Sequence, residues 1–218
     1  MHKTVYAIHT GPALVDVFRK LFPEMLPGVR LVNIVDDGLL SDVRAAGGLI
    51  PSVTRRIIGY GTLAESSGAD AIFNCCSSVG EAADMLAKVV NIPVVKIDDR
   101  MAGKAVEQGS RIAIVATVAT TLDPTERLIL RKANERQRIV TTRRYLAGSA
   151  FDALMAGNSE EHDRLLKAEI ECAMAENDAV VLAQGSMARL VPMLEPGSVP
   201  VLSSPRLGVE ALKERLGL

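Results

Sequence analysis

Asp70-Ala71-Ile72-Phe73-Asn74-Cys75-Cys76-Ser77-Ser78 and Asp178-Ala179-Val180-Val181-Leu182-Ala183-Gln184-Gly185-Ser186 are one segment written twice. Asp, Ala, a β-branched residue and the closing Ser coincide, 108 positions apart (178 − 70 = 108). Three more segments repeat in the same order and at nearly the same offset. Val5-Tyr6-Ala7-Ile8-His9-Thr10 answers Ile112-Ala113-Ile114-Val115-Ala116-Thr117, and Arg30-Leu31-Val32-Asn33 answers Arg138-Ile139-Val140-Thr141. Ile92-Pro93-Val94-Val95 answers Val199-Pro200-Val201-Leu202. An internal duplication follows, and duplicated halves are expected to face each other across a cleft. Cys76 and Gln184 would then oppose one another.

Around these segments, short β-branched runs alternate with longer amphipathic stretches. The runs predict strands over Thr4–Ile8, Val29–Ile34, Ala71–Asn74 and Val94–Ile97, then Arg111–Ala116, Arg138–Thr142, Ala179–Ala183 and Val199–Leu202. They are continuously apolar rather than alternating, as suits parallel strands covered on both faces. Helices are expected over 14–22, 51–67, 79–90 and 100–108, and over 124–134, 151–154, 159–176, 187–194 and 207–216. Pro93 and Pro200 open their strands, where a missing N–H is tolerated. The fold class is therefore α/β: two pseudo-symmetric, doubly wound halves, each with a parallel sheet of about four strands. Residues 1–100 with the C-terminal helix 205–218 form the first half, and residues 101–204 the second.

The bulk numbers exclude several functions. A formal net charge of −1 gives no electrostatic case for nucleic acid or membrane. Basic residues from Arg127 to Arg144 are accompanied by Glu126 just before them and Glu135 among them, and read as a solvated helix face. Zero Trp and 3% aromatic residues argue against stacking platforms. Three cysteines make no disulfide framework, and neighbouring Cys75 and Cys76 are poorly placed to bridge. His2, His9 and His162 are scattered and no metal-ligand spacing appears. No G-x-G-x-x-G follows a strand, so no cofactor is implied. Without a signal segment or an apolar run of about 18 residues, a soluble cytoplasmic protein is expected.

In an open parallel sheet, ligands bind beyond the carboxyl ends of the strands. That rule gathers His9, Thr10, Cys76, Ser77, Ser78, Thr117, Gln184, Gly185 and Ser186, and the Asp98-Asp99 and Ser203-Ser204 turns. Hydroxyls and backbone N–H groups at helix starts suit a small carboxylate. Cys76 lies between a buried strand and a helix, where a thiol is expected to lean toward thiolate. A space-filling core cysteine is the competing reading. Cys75 should point to the opposite face, into the core. His9 is a second candidate acid–base or a histidine hydrogen-bonded to backbone at its strand end. Lys96, Asp98 and Asp99 are polar site residues or a helix cap, the cap favoured for Asp99. Arg206 could meet a distal carboxylate or water.

Asp-Ala-Ile-Phe-Asn-Cys-Cys-Ser-Ser-Val-Gly over 70–80 resembles the first cysteine motif of the aspartate/glutamate/hydantoin racemase superfamily. Val181-Leu182-Ala183-Gln184-Gly185-Ser186-Met187-Ala188 resembles its second, which normally carries Cys where Gln184 stands. The superfamily is also a duplication of this length and includes maleate isomerase and arylmalonate decarboxylase. The resemblance implies proton transfer at a carbon next to a carboxylate, with Cys76 as acid–base. Thr10, Ser77, Ser78, Thr117 and the backbone around Gly185-Ser186 would hold the carboxylate, in a homodimer or higher homo-oligomer. An amide does not exchange protons near neutral pH, so Gln184 departs from two-thiol racemisation. Three functions stand: a cofactor-independent racemase or isomerase of a small carboxylate, a single-thiol decarboxylase, or a non-catalytic small-anion binder.

Overall fold

A computed structural model describes residues 3–194 and 197–218; His2 lies outside them. The chain divides into two compact units, 1–99 with 205–218, and 100–204. Each is described by itself.

The first unit carries β1 (Thr4–His9), β2 (Arg30–Val35), β3 (Ala71–Asn74) and β4 (Val94–Lys96) in one sheet of order β2-β1-β3-β4. All its pairings are parallel. Helices α1 (Val15–Met25), α2 (Gly38–Ala46), α3 (Pro51–Ser66) and α4 (Gly80–Leu86) connect the strands. Alternate side chains of the central strands feed two cores. Val5, Ala7, Phe73 and Cys75 join Phe18 and Phe22 of α1 on one face. Ile8 and Ile72 join Val53 and Ile57 of α3 on the other. Both faces are dry, which is why β3 reads as an unbroken apolar run. The α3–α4 approach depends on Gly61: a Cβ there would lie 2.3 Å from the Leu86 methyls.

The second unit carries α5 (Asp99–Gln108, its first residue in the other unit), β5 (Arg111–Ala116), α6 (Leu122–Glu135), β6 (Thr141–Leu146), α7 (Gly148–Met155), α8 (Ser159–Glu176), β7 (Ala179–Leu182) and β8 (Val201–Ser203). Its sheet is also fully parallel, of order β6-β5-β7-β8. Helix α9 (Ser204–Leu216) follows β8 but belongs to the first unit from Pro205 onward, where Val209 and Leu212 pack with Phe73 and Val95. Gly208 permits that contact, because a Cβ would sit 2.8 Å from the Ile97 carbonyl and 2.9 Å from Phe73.

The duplicated aspartates have a visible job. Asp70 accepts the backbone N–H of Thr4 (2.7 Å) and pairs with Lys3 (2.8 Å). Asp178 accepts the backbone N–H of Arg111 (2.8 Å) and pairs with its guanidinium (2.7 Å). In each unit the carboxylate ties the start of the third strand to the start of the first. These partners hold both carboxyls below their ordinary pKa.

Several boundaries differ from the sequence reading. The strand expected over Arg138–Thr142 runs over Thr141–Leu146, with Thr141 opposite Arg111 as Arg30 is opposite Thr4. The repeat is thus three residues out of step here. After α6, Gln137 takes a left-handed φ of 53° and Arg138–Val140 forms a linking stretch, with Ile139 92% exposed. The apolar pair Ile139-Val140 mimics a buried strand, whereas the true edge strand is Thr-Thr-Arg-Arg-Tyr-Leu. Its arginines are covered by ion pairs, Arg143 with Glu176 and Arg144 with Asp123 and Glu126, as suits an exposed edge. Helix α2 has no counterpart among the expected helices, and Gly185–Met193 is a 3-10 stretch. Asp99 is the first residue of α5 rather than its cap.

Candidate active site

The two units present matched turns at the carboxyl ends of their third strands. In the first, the Cys75 N–H donates to the Ile8 carbonyl (2.9 Å); in the second, the Ala183 N–H donates to the Val115 carbonyl (2.9 Å). The next residue is extended in both: Cys76 at φ −145°, ψ 125°, and Gln184 at φ −118°, ψ 131°. Each opens a 3-10 turn, Ser77–Val79 in one case and the stretch from Gly185 in the other. Backbone and register therefore superimpose the thiol on the amide.

Side chains then diverge. Cys76 packs against the Ile8–Ile72 core. The Thr10 hydroxyl and the Ser78 and Val79 N–H groups act to lower its thiol pKa, and the Val79 N–H also donates to the Cys76 carbonyl (3.4 Å). The Ser78 hydroxyl also lowers the thiol pKa, but its oxygen reaches no partner at hydrogen-bonding geometry. Burial outweighs all of these donors and moves the thiol above its ordinary pKa. This corrects the expectation of a resting thiolate: desolvation of a sulfur anion costs more here than one short turn of N–H groups returns. The resting group is the neutral thiol. Cys75 faces the aromatic core, with its thiol near the Phe73 carbonyl (3.4 Å) and its pKa driven far up by burial.

Gln184 is engaged at both ends by one residue. Its Oε1 accepts the Thr117 backbone N–H (3.0 Å) and its Nε2 donates to the Thr117 hydroxyl (2.9 Å). Thr117 stands to Gln184 as Thr10 stands to Cys76, the residue after the unit's first strand beside the second residue after its third. Ser78 is buried, while its counterpart Ser186 is exposed and Gly185 half-buried.

His9 is buried, with Nε2 2.8 Å from Asn33 Oδ1 and its ring 6.0 Å from Phe18. Burial lowers its pKa, and the Asn33 contact opposes this less strongly, so the ring is neutral. Its partner is a side chain rather than the expected backbone. Its ring lies toward α1, whereas Cys76 packs on the opposite core. Arg206 pairs on the surface with Glu24 (2.5 Å).

Two contributors carried little weight in the sequence. Asn74, fully buried, donates from Nδ2 to the Cys76 carbonyl (2.9 Å) and holds the thiol's own backbone. A polar residue ending an apolar strand just before the cysteine pair was the available signal. Asp98 is 3% exposed; burial raises its pKa, against the lowering influence of the Ser77 hydroxyl and the nearby Lys96 charge. Lys96 pairs with Asp84 (2.7 Å). Among the described residues no group of three or more His, Cys, Asp or Glu could hold a metal ion. No helix among them is long and apolar enough to cross a membrane.

Such a pair of duplicated parallel sheets, with a thiol and a hydroxyl cluster at the strand ends, defines a racemase-type α/β architecture. Residues 37–212 match the model of the Asp/Glu/hydantoin racemase family, and the chain belongs to that family. Its fold is similar to that of Picrophilus torridus aspartate racemase, at 18% identity and TM-score 0.73 over 99% of this chain and 94% of that one. Klebsiella pneumoniae allantoin racemase gives 18% and 0.70 over 99% and 88%. A Bacillus anthracis glutamate racemase gives 12% and 0.73 over 99% and 82%. No curated protein matches the chain by sequence.

Proposed function

We propose that the protein is a cofactor-independent racemase or isomerase-like enzyme that moves a proton at the carbon next to a carboxylate of a small molecule. Cys76 is its acid–base group. The observation that carries this reading is the placing of the Cys76 thiol at the end of β3, extended ahead of the Ser77–Val79 turn, where the Thr10 hydroxyl and the Ser78 and Val79 N–H groups favour its thiolate against burial. Those donors stabilise a thiolate once it forms, and burial keeps the thiol protonated until then. Thr10, Ser78 and the turn N–H groups also supply the donors that a carboxylate or an enolate oxygen requires. Thr117, Gln184, Gly185 and Ser186 form the corresponding second-unit surface.

Gln184 brings no proton-transfer group, and its amide is directed to Thr117. The chemistry therefore rests on one thiol. The test is proton NMR in D2O with small 2-substituted carboxylates and malonates. Deuterium should enter the carbon next to the carboxylate, and Cys76→Ser should cut its rate by roughly 10²–10⁴-fold. Uptake without inversion fits a single acid–base group, and inversion would require a second, for which His9→Ala is the probe. Release of CO2 from a malonate would shift the assignment to a decarboxylase. Turnover of Cys76→Ser at the wild-type rate would end the reading. Since the thiol pKa lies above its ordinary value, a thiolate-dependent rate should still be rising above about pH 8.5.

A further inference from the structure

Strand β2 is the last in the first unit's sheet, so one of its long sides has no neighbouring strand. The Arg30 N–H donates to the Lys3 carbonyl (2.8 Å) and the Asp36 N–H to the His9 carbonyl (3.0 Å), so the even-numbered residues turn their backbone toward β1. Backbone groups alternate in direction along a strand, and those of Leu31, Asn33 and Val35 therefore turn outward. None of these N–H and C=O groups has a hydrogen-bond partner among the described residues. The strand reads Arg-Leu-Val-Asn-Ile-Val, with no charge after Arg30, no Pro and no Gly. Val35 is 47% exposed, and Leu31, Val32 and Ile34 are half-buried. The equivalent edge of the second unit, β6, is guarded by Arg143 and Arg144, held in ion pairs with Glu176, Asp123 and Glu126. An apolar edge without such a guard is a template for another strand.

We propose that β2 pairs with β2 of a second copy of this chain, antiparallel about a two-fold axis through Asn33. The strand's own pattern selects that partner. In this register Leu31 of each copy opposes Val35 of the other and Asn33 opposes Asn33, so every outward N–H and C=O is matched. The two ends of the strand also carry opposite charges. Arg30 stands at one end, and Asp36 and Asp37 follow the other. Asp36 is held by Arg56 and Tyr60, whereas the side chains of Arg30 and Asp37 are exposed and have no partner among the described residues. Antiparallel pairing sets Arg30 of each copy opposite Asp36 and beside Asp37 of the other. Parallel pairing would set Arg30 against Arg30 and Asp37 against Asp37. The contact is self-complementary, so it closes at two copies. One strand pair is a small interface, and the dimer is accordingly weak, with a dissociation constant in the micromolar range.

Sedimentation velocity of the full chain across the micromolar range reads the association, and amide hydrogen exchange followed by NMR reads its place. Wild type should pass from monomer to dimer as concentration rises, while exchange of the Leu31, Asn33 and Val35 N–H groups slows about tenfold or more. The Val32 and Ile34 N–H groups, which face β1, should change less. Arg30→Asp puts like charges together at both ends of the pair and should raise the dissociation constant about tenfold. Adding Asp37→Arg to it restores unlike charges and should recover most of that loss. Val35→Pro removes an outward N–H and leaves the bonds to β1 in place, so the protein should stay folded and monomeric. If that variant fails to fold, the charge exchange at exposed Arg30 and Asp37 still decides the matter. A wild type that is monomeric at every concentration overturns the proposal. So does a dimer whose three outward amides exchange as fast as in the monomer, or one that Arg30→Asp leaves unchanged. None of these readouts involves Cys76 or turnover, so the proposed reaction stands or falls separately.

Discussion

The turn at Cys76 and the turn at Gln184 share their backbone and their strand register, each with a threonine after the first strand, yet one presents a desolvated thiol and the other an amide held at both ends by its threonine. At Cys76 the neighbouring Thr10, Ser78 and Val79 donors favour a thiolate that burial opposes, and the buried Asn74 Oδ1 and Ser78 Oγ nearby have no hydrogen-bond partner. At Gln184 one bond engages each end of the amide, both with Thr117. The comparison separates what the duplicated fold supplies from what a single side chain adds. The fold supplies N–H groups and a hydroxyl at the strand ends. The side chain decides whether they meet a thiol or are taken up by an amide.

The largest effect expected from this contrast is gain of a second acid–base group. Gln184→Cys places a thiol at the position equivalent to Cys76. Deuterium exchange by wild type should then be joined by inversion at the labelled carbon, followed by chiral chromatography. Exchange that stays stereochemically unchanged in a folded Gln184→Cys protein would show that the second turn cannot act on the substrate.

Next in size is the structural role of Gln184. Leu in its place strands the Thr117 N–H and hydroxyl, at a cost of about 1–3 kcal/mol for buried groups left unpaired. Urea unfolding should show a lower midpoint with an unchanged slope. A loss below about 0.5 kcal/mol would mean the amide is not the lock described, as for an ordinary surface substitution.

A smaller effect appears in pH dependence. Cys75 and Cys76 have folded pKa values raised by burial, Cys75 far more so. The folded state therefore prefers neutral thiols. Stability from this source is full below the unfolded thiol pKa of about 8.5 and is lost as pH rises from there through the folded values. Thermal melts should fall on that alkaline limb, and Cys75→Ala should flatten the fall. A limb of equal steepness in Cys75→Ala would assign the loss elsewhere. The smallest effect is at the edge strand, where Arg143→Ala, removing an exposed pair with Glu176, should change stability by no more than about 1 kcal/mol.

Much of this architecture was legible. The repeat offset located three of the four strand pairs because β1, β3, β4 and their counterparts are interior or near-interior and keep their apolar signature. It failed at β6, where an exposed edge is written in Thr and Arg while the linking stretch carries Ile139 and Val140. The replacement of thiol by amide was visible as a residue, but its consequence was not: nothing in the spacing says that both ends of Gln184 close on Thr117. The sign of the Cys76 shift was misjudged for a related reason. Position before a short helical turn is a sequence property, whereas desolvation depends on what the fold packs around the sulfur. Asn74 and Asp98 act through contacts across turns and strands, and residue type alone could not separate them from a strand end and a helix cap.

The central claim is that proton transfer resides in the first turn alone. Its most direct test is the initial rate of deuterium incorporation from D2O by wild type, Cys76→Ser and Gln184→Ala on one identified carboxylate. The account predicts that Gln184→Ala, provided it is folded, keeps its rate within about an order of magnitude, whereas Cys76→Ser loses roughly 10²–10⁴-fold. Incorporation that survives in Cys76→Ser and disappears in folded Gln184→Ala would contradict it.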